Sequence, residues 1–335
     1  MKHTLTLLAT LLLAVLAFPL LAHADTPPVL GIRGGVFTRD GEPFQMWGIR
    51  VASATTSDAQ TEHLVAQLDD YAAHGLNAVT VFYQGSSGAH YDPFTPDGRG
   101  VEDGHQRRME RIITECGRRG IFVIVGIFYQ HARLNVRDAD AVRAAVRLVT
   151  EKLKAFPNVL INVANEQNNP NYDDTKRVFD FRDPERIIEL CRLVKETDPK
   201  RLVGGGGYDV RKNIIIGQSP AVDALLFDFN KPDVLTGRLC ADFVKAGVTG
   251  KPLVNVELLG AWTKELPRGI FPEHARQRHF DDIASVLGKK QFGLFFHNSP
   301  WCQGEPMRYD LAGQGTKDDP GIRWYFDYLK SAIRP

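Results

Sequence analysis

Two glutamates in this chain stand where a proton donor and a nucleophile could act on one bond. Glu166 follows the apolar run Val159-Leu160-Ile161-Asn162-Val163-Ala164 and then Asn165, and Glu257 follows Leu253-Val254-Asn255-Val256. A carboxyl closing one short apolar run is as readily an ordinary loop or helix-start acid. Two of them, each closing a separate strand-like run, suit a division of labour. One carboxyl, kept neutral, protonates a leaving oxygen, and the other, kept ionised, attacks carbon. Other chemistry-bearing side chains also close apolar runs: Arg50, Tyr208, Asp228, Asn230, His297, Asn298 and Trp301.

Those ends belong to an alternation that runs along the chain. Phe37-Thr38-Arg39-Asp40-Gly41-Glu42-Pro43-Phe44 places an Asp-Gly turn between short apolar runs and predicts a β-hairpin. After it come the candidate strands 44–50, 77–83, 121–128, 159–164, 201–205, 224–229, 252–257 and 292–297. They are rich in Val, Ile, Leu and Phe without clean alternation, as expected of parallel strands buried on both faces. Between them lie amphipathic stretches predicting helices over 61–74, 105–119, 138–156, 183–197, 234–246, 272–287 and 320–333. The link 209–222 lacks a convincing long helix. Eight strands alternating with helices predict a (β/α)8 TIM barrel, with the hairpin plugging its N-terminal mouth. A doubly wound open sheet is the alternative. It would carry a glycine fingerprint after its first strand, and none follows Arg50.

The order of barrel strands then gives the two acids a common address. In such a barrel, catalytic groups come from the C-terminal strand ends, and Glu166 and Glu257 close the fourth and seventh strands. Trp47, Tyr83, Tyr129, Tyr208, Trp262 and Trp301 are candidates for stacking on an apolar ring face, and His131 and His297 for polar contacts. Gly204–Gly207, after the fifth strand, would let backbone approach a ligand. The run lacks the Gly-Lys-Ser/Thr of a phosphate loop. The stretch 168–174 is read as a solvated loop beside Glu166.

Composition narrows the class. With 335 residues, 41 basic against 40 acidic side chains and 43% hydrophobic content, the chain folds and offers no basic face to nucleic acid. Residues 1–24 have an early Lys2, an apolar run from Leu5 to Leu21, and Ala22-His23-Ala24. That order predicts a secretory signal cleaved after Ala24, leaving 25–335 as one catalytic domain with no membrane attachment. Export permits disulfides, and Cys116, Cys191, Cys240 and Cys302 allow three pairings. Their spacing is not that of metal ligands, and buried thiols are the slightly preferred reading.

Ile161-Asn162-Val163-Ala164-Asn165-Glu166 resembles the fourth-strand Asn-Glu signature of clan A glycoside hydrolases, and Val254-Asn255-Val256-Glu257 resembles their seventh-strand nucleophile segment. The hairpin leading into Trp47-Gly48-Ile49-Arg50 resembles the opening of the cellulase-like family five enzymes. The resemblance implies a retaining glycosidase that cleaves O-glycosidic bonds, of β configuration, in an oligo- or polysaccharide. It assigns Glu166 as acid/base, Glu257 as nucleophile, and Asn165 to the sugar 2-hydroxyl. A Trp at the end of the eighth strand beneath the sugar corresponds to Trp301. No metal or organic cofactor enters this scheme. Retaining hydrolysis needs the two carboxyls about 5–5.5 Å apart, and the charge of Glu257 would keep Glu166 protonated.

The sequence also departs from that family. Family five enzymes usually carry an Arg at the end of the second strand, where this chain has Asn77-Ala78-Val79-Thr80-Val81-Phe82-Tyr83, and Arg50 is the substitute. Their sixth-strand His-x-Tyr is replaced by Phe227-Asp228-Phe229-Asn230, leaving Tyr208 as a stand-in for the Tyr that bonds the nucleophile. The departures keep two alternatives open, a non-catalytic glycan-binding barrel and a transglycosylase.

Overall fold

Turn chemistry shapes the start of the molecule. Asp40 and Gly41 both have left-handed backbone, φ 52° and 89°, which suits the right-handed twist of the strands they join. They connect β2 (Val36–Arg39) to β3 (Glu42–Pro43), as the Asp-Gly signal predicts. Upstream, β1 (Leu30–Arg33) pairs antiparallel with β2, so the expected hairpin is a three-stranded sheet. The computed structural model describes residues 26–85, 91–130, 134–229, 234–258, 269–298, 301–302 and 307–334. The predicted signal segment and its cleavage point lie outside them.

Eight parallel strands close into a barrel. In chain order they are β4 (Trp47–Arg50), β5 (Ala78–Phe82), β6 (Phe122–Phe128), β7 (Val159–Ala164), β8 (Leu202–Gly205), β9 (Ala224–Phe227), β10 (Leu253–Asn255) and β11 (Phe292–Phe296). Each pairs with the next, and β11 closes on β4. The architecture is the predicted TIM barrel. Around it lie α1 (Asp58–Val65), α2 (Leu68–Ala73), α3 (Asp103–Arg118), α4 (Ala139–Leu153), α5 (Pro184–Thr197), α6 (Val210–Gln218), α7 (Thr236–Lys245), α8 (Glu273–Val286) and α9 (Arg323–Ile333).

Two helical expectations change. The single helix predicted over 61–74 starts earlier, where the Ser57 hydroxyl accepts the Gln60 amide, and divides at Ala66-Gln67 into α1 and α2. Leu64, Leu68 and Tyr71 stay buried across the division, so the apolar spacing was right although the rod is not continuous. The link 209–222 does hold a helix, α6. The Asp209 carboxylate caps it by accepting the Arg211 and Lys212 amides. Its nine residues and the charged pair at its start hid it from a periodicity reading.

Inside the barrel the inward side chains follow a two-residue rhythm. Ala78, Phe122, Ile124, Leu160, Ala224, Leu226, Val254 and Phe295 pack with Leu30 and Phe37 of the small sheet in one buried cluster. The Phe44 ring stacks on Phe122 at 5.0 Å, and the Arg39 guanidinium covers Phe122 at 5.4 Å. The small sheet therefore closes the N-terminal mouth. Two residues beyond Gly48, Leu226 and Phe295, the same rhythm brings Arg50, Asp228 and His297 inward at the opposite end. All four cysteines are buried free thiols. Among the described residues no helix is long and apolar enough to cross a membrane.

Candidate active site

The C-terminal end of the barrel is organised around one buried cation. Arg50, fully buried, lies over the rings of Phe82 and Tyr129, with its guanidinium carbon 5.2 and 5.6 Å from their centroids. Such contacts favour a desolvated cation. The Phe82 ring fits because Gly126 has no side chain: a Cβ there would lie 1.9 Å from the ring. Arg50 Nη2 donates to Asn165 Oδ1 at 2.8 Å and to the Tyr129 hydroxyl at 3.2 Å. Its Nη1 lies 3.7 Å from Glu257 Oε2 and 3.7 Å from Asp228 Oδ1. Burial alone would discourage the charge, but Tyr129, Glu257 and Asp228 outweigh it, and Arg50 is held above its ordinary range. Arg50 thus stands beside Glu257, as its expected role as the substitute arginine requires.

Glu166 is buried on the turn that follows β7, at φ 39°. Its Oε2 accepts hydrogen bonds from the side-chain amides of Gln130 and, at 2.8 Å, Asn169. Burial pushes the Glu166 carboxyl up to about 8, with the charge of Glu257 adding to it and Arg50, Asn169 and Gln130 opposing. The charge of Glu257 is expected from the sequence to keep Glu166 protonated. The structure makes loss of water the larger cause and the like charge the second.

Asn165 is fully buried, and each end of its amide is engaged. Its oxygen accepts from Arg50, and its nitrogen donates to Gln130 Oε1 at 2.8 Å. A primary amide has a second N–H and a second lone pair beyond these two bonds. Its backbone carbonyl accepts the Tyr172 hydroxyl at 2.9 Å. The same amide therefore ties the cation to the partner of the acid.

His297 lies beside the other glutamate, its Nε2 3.5 Å from Glu257 Oε1. Burial and the Arg50 charge hold the imidazole well below its usual range, so it is neutral, and the tautomer with hydrogen on Nε2 points it at Glu257. Expected to bind a ligand, His297 is described against this carboxylate.

Tyr208 is half-buried near Glu166, and burial followed by the charge of Glu166 pushes its phenol up. No described hydrogen bond joins its hydroxyl to Glu257. Trp301 is 2% exposed. The Arg308 guanidinium lies 4.2 Å from the indole centroid, and the indole N–H donates to the Asp310 carbonyl at 2.9 Å. Trp301 is a covered wall, and a ring could stack on that face only after Arg308 moves. Trp47 and Tyr83 are buried as well, Trp47 at the opposite strand end and Tyr83 bonded to Gln106. His131, Asn230 and Trp262 lie outside the described residues.

Three contributors were not assigned from the sequence. Gln130 and Asn169 hold Glu166, and Asp228 faces Arg50. Gln130 follows β6 by two residues, so the strand-end rule that found the glutamates reaches it. Asn169 sits in the stretch expected to be a solvated loop, which instead leads into a 3-10 turn over Pro170–Thr175. The glycine run after β8 also has a different use. A Cβ at Gly207 would lie 2.1 Å from Asn168 Oδ1, so the glycines admit the neighbouring turn of the protein itself.

The set can do acid–base and nucleophilic chemistry: a carboxyl that retains its proton near neutral pH, and a second carboxyl beside a fixed cation and a neutral imidazole. Neither a protein-family model nor a curated protein sequence matches the chain. Solved structures do share its fold. A Bacteroides vulgatus protein named as a candidate glycoside hydrolase matches with a TM-score of 0.66 at 16% identity, over 91% of this chain. The match spans 60% of that protein's own length. A family 5 mannosidase from Rhizomucor miehei matches with a TM-score of 0.61 at 15% identity, over 91% of this chain and 96% of its own. A β-mannanase from the blue mussel Mytilus edulis matches with a TM-score of 0.57 at 12% identity, over 92% of this chain and 96% of its own. At these identities the likeness is one of fold: the chain has the barrel on which these glycoside hydrolases are built.

Proposed function

We propose that this chain is an exported retaining glycoside hydrolase acting on β-O-glycosidic bonds of an oligo- or polysaccharide. The observation that carries the reading is Glu166, a buried carboxyl that keeps its proton up to about pH 8, set near Glu257 at the same barrel mouth. Glu166 protonates the departing glycosidic oxygen as Glu257 attacks the anomeric carbon and forms a glycosyl ester. Esterification removes the Glu257 charge that had helped hold the Glu166 proton. Glu166, now ionised, takes a proton from water, and that water breaks the ester with overall retention. Arg50 keeps the Glu257 carboxylate charged before attack, and the second N–H of Asn165 bonds the sugar 2-hydroxyl. The catalytic domain is the single unit 25–335, freed by cleavage after Ala24.

The mannanase and mannosidase neighbours make β-mannosides the first substrates to try. An activated 2-deoxy-2-fluoro β-mannoside, alongside its gluco and galacto analogues, should label the protein, and the labelled peptide should contain Glu257. Label on another carboxylate, or an inverted product by NMR, would overturn the mechanism. Glu166→Gln should lose most activity on poor leaving groups, keep the first step on an aryl leaving group, and yield a glycosyl azide when azide is added. N-terminal sequencing of the exported protein should begin at Asp25.

A further inference from the structure

The strand that leads to Glu257 is short. β10 has three residues and stops at Asn255, two residues before the acid. Its pairing with β9 ends at Asn255 opposite Phe227, and one more backbone bond follows, from the Val256 amide to the Phe227 carbonyl at 2.9 Å. Beyond that point the Asn255 side chain takes over. Its Oδ1 accepts the Phe229 amide at 3.2 Å, and its Nδ2 donates to the Phe229 carbonyl at 3.1 Å. The side-chain amide thus pairs with the continuation of β9 as a peptide group would. The same Oδ1 accepts the Glu257 amide at 3.2 Å, the two-residue reach of an Asx turn.

Asn255 is fully buried, and its second N–H donates to the Thr236 hydroxyl at 2.9 Å. Both lone pairs and both N–H groups of the amide are therefore engaged. Thr236 opens α7 and is tied to α8. Its amide donates to Asp282 Oδ1 at 2.6 Å and its hydroxyl to Asp282 Oδ2 at 3.0 Å. Burial pushes Asp282 up to about 6, so at neutral pH it is ionised and can only accept. The Thr236 hydroxyl must then donate to it, which leaves the hydroxyl oxygen to receive the Asn255 N–H. With its nitrogen committed to Thr236 and the Phe229 carbonyl, the Asn255 amide cannot turn over, and its oxygen stays on Glu257.

We propose that Asn255 is a positioning residue: its side-chain amide, oriented from α8 through Thr236, fixes the backbone of Glu257 and so aims that carboxylate. The hold matters because the carboxylate works between groups carried by other strands. Its Oε2 lies 3.7 Å from Arg50 Nη1 at the end of β4, and its Oε1 lies 3.5 Å from His297 Nε2 beyond β11. Its place between them depends on how its own backbone is tied. The kinetic half of this inference rests on the proposed role of Glu257 as nucleophile.

The test compares Asn255→Ala, which removes all four bonds, with Thr236→Val, which keeps the side-chain shape and removes only the hydroxyl. In substrate-free protein, hydrogen exchange read by NMR follows the Glu257, Phe229 and Val256 amides. In Asn255→Ala the Glu257 and Phe229 amides should exchange about tenfold faster or more, while Val256, held by the Phe227 carbonyl, keeps its wild-type rate. Wild-type exchange at Glu257 would overturn the proposal. An equal rise at Val256 would make Asn255 a general structural residue and overturn it too. An activated 2-deoxy-2-fluoro β-mannoside reads the kinetics. Asn255→Ala should label to the wild-type stoichiometry, with a rate constant lower by about tenfold or more and a half-saturating concentration little changed. A smaller labelled fraction reacting at the wild-type rate would mean misfolding alone and would overturn the positioning role. If the alanine variant does not fold, Thr236→Val decides by the same two readouts, with effects of about threefold. If the wild type takes no label from this probe or from its gluco and galacto analogues, the proposed function fails, whereas amide exchange still judges Asn255.

Discussion

The two ends of the barrel are equally buried and chemically opposite. At the N-terminal end, Phe122, Leu226, Val254 and Phe295 fill the lumen with apolar side chains beneath Leu30 and Phe37 of the small sheet. At the C-terminal end the same lumen holds Arg50, Asn165, Glu166, Asp228, Glu257 and His297, none more than 8% exposed. Removing apolar surface from water stabilises the fold. Removing carboxyls and a guanidinium from water costs free energy that hydrogen bonds and ion pairs only partly return. One end is built for stability. The other holds groups whose proton affinities are shifted by the burial that makes them costly.

The largest effect that would break this contrast is at Glu257. Glu257→Ala should abolish turnover on every glycoside that the wild type cleaves, because Glu257 is the carboxylate proposed to form the ester. The fold should survive at a cost in stability, since Arg50 loses one ion-pair partner but keeps its hydrogen bonds to Asn165 and Tyr129. Kinetics and a thermal melt read both outcomes. A collapsed melt would mean that Glu257 is structural in the way Phe122 is.

The next effect tests the electrostatic cost directly. Glu166 is held in the folded state at about 8, above its ordinary carboxyl value. The folded protein therefore keeps a proton that the unfolded chain releases at lower pH. That contribution to stability is complete below the unfolded value and is lost as pH rises through about 8. Glutamine cannot ionise, so Glu166→Gln escapes the loss. The melting temperature of the variant relative to wild type should rise steadily between pH 5 and pH 9. A difference that stays flat would place the Glu166 pKa near that of a solvated acid and remove the proton store from the mechanism.

How much of each end was legible in the sequence follows from the same contrast. The apolar end announced itself through Val, Ile, Leu and Phe runs, and all eight barrel strands lie within the runs that predicted them. The glutamates were legible because each closes such a run. Gln130 and Asp228 were not assigned a role, because a contact between residues that follow different strands leaves no spacing along the chain, and Asn169, three residues from Glu166, was read as part of a solvated loop. The glycines of 204–207 were legible as a close approach but not as to what approaches. Only the fold brings Asn168 and Asp228 against them.

At the apolar end, Phe122→Ala should cost about 3–5 kcal/mol in urea unfolding, through lost burial and the cavity left under Phe44. The position is remote from the acids, so the alkaline limb of the pH–rate profile should not move. A shifted limb would mean that the two ends are coupled through the lumen.

The smallest expected effect is a single methyl group placed at each end. Gly207 has no left-handed backbone, so alanine there meets only a steric demand: its Cβ would lie 2.1 Å from Asn168 Oδ1 and 3.1 Å from the Gln167 nitrogen. Asn168 Oδ1 accepts the Tyr208 and Asp209 amides at 2.8 and 3.2 Å, and the Gln167 amide donates to the Gly206 carbonyl. The methyl group must therefore displace the turn that carries Glu166, at about 1–3 kcal/mol for overpacking. Gly250, beside the start of β10, is the converse case, with φ 71° and open space where a Cβ would go. Gly250→Ala should cost about 1–2 kcal/mol through backbone strain alone. The two variants should thus lose comparable stability by urea unfolding. They should differ in catalysis: Gly207→Ala lowers kcat on poor leaving groups, where the position of the acid matters, and Gly250→Ala leaves kcat unchanged. Equal kcat in both would show that the turn after β7 tolerates displacement, and that the acid end is less rigidly built than its hydrogen bonds imply.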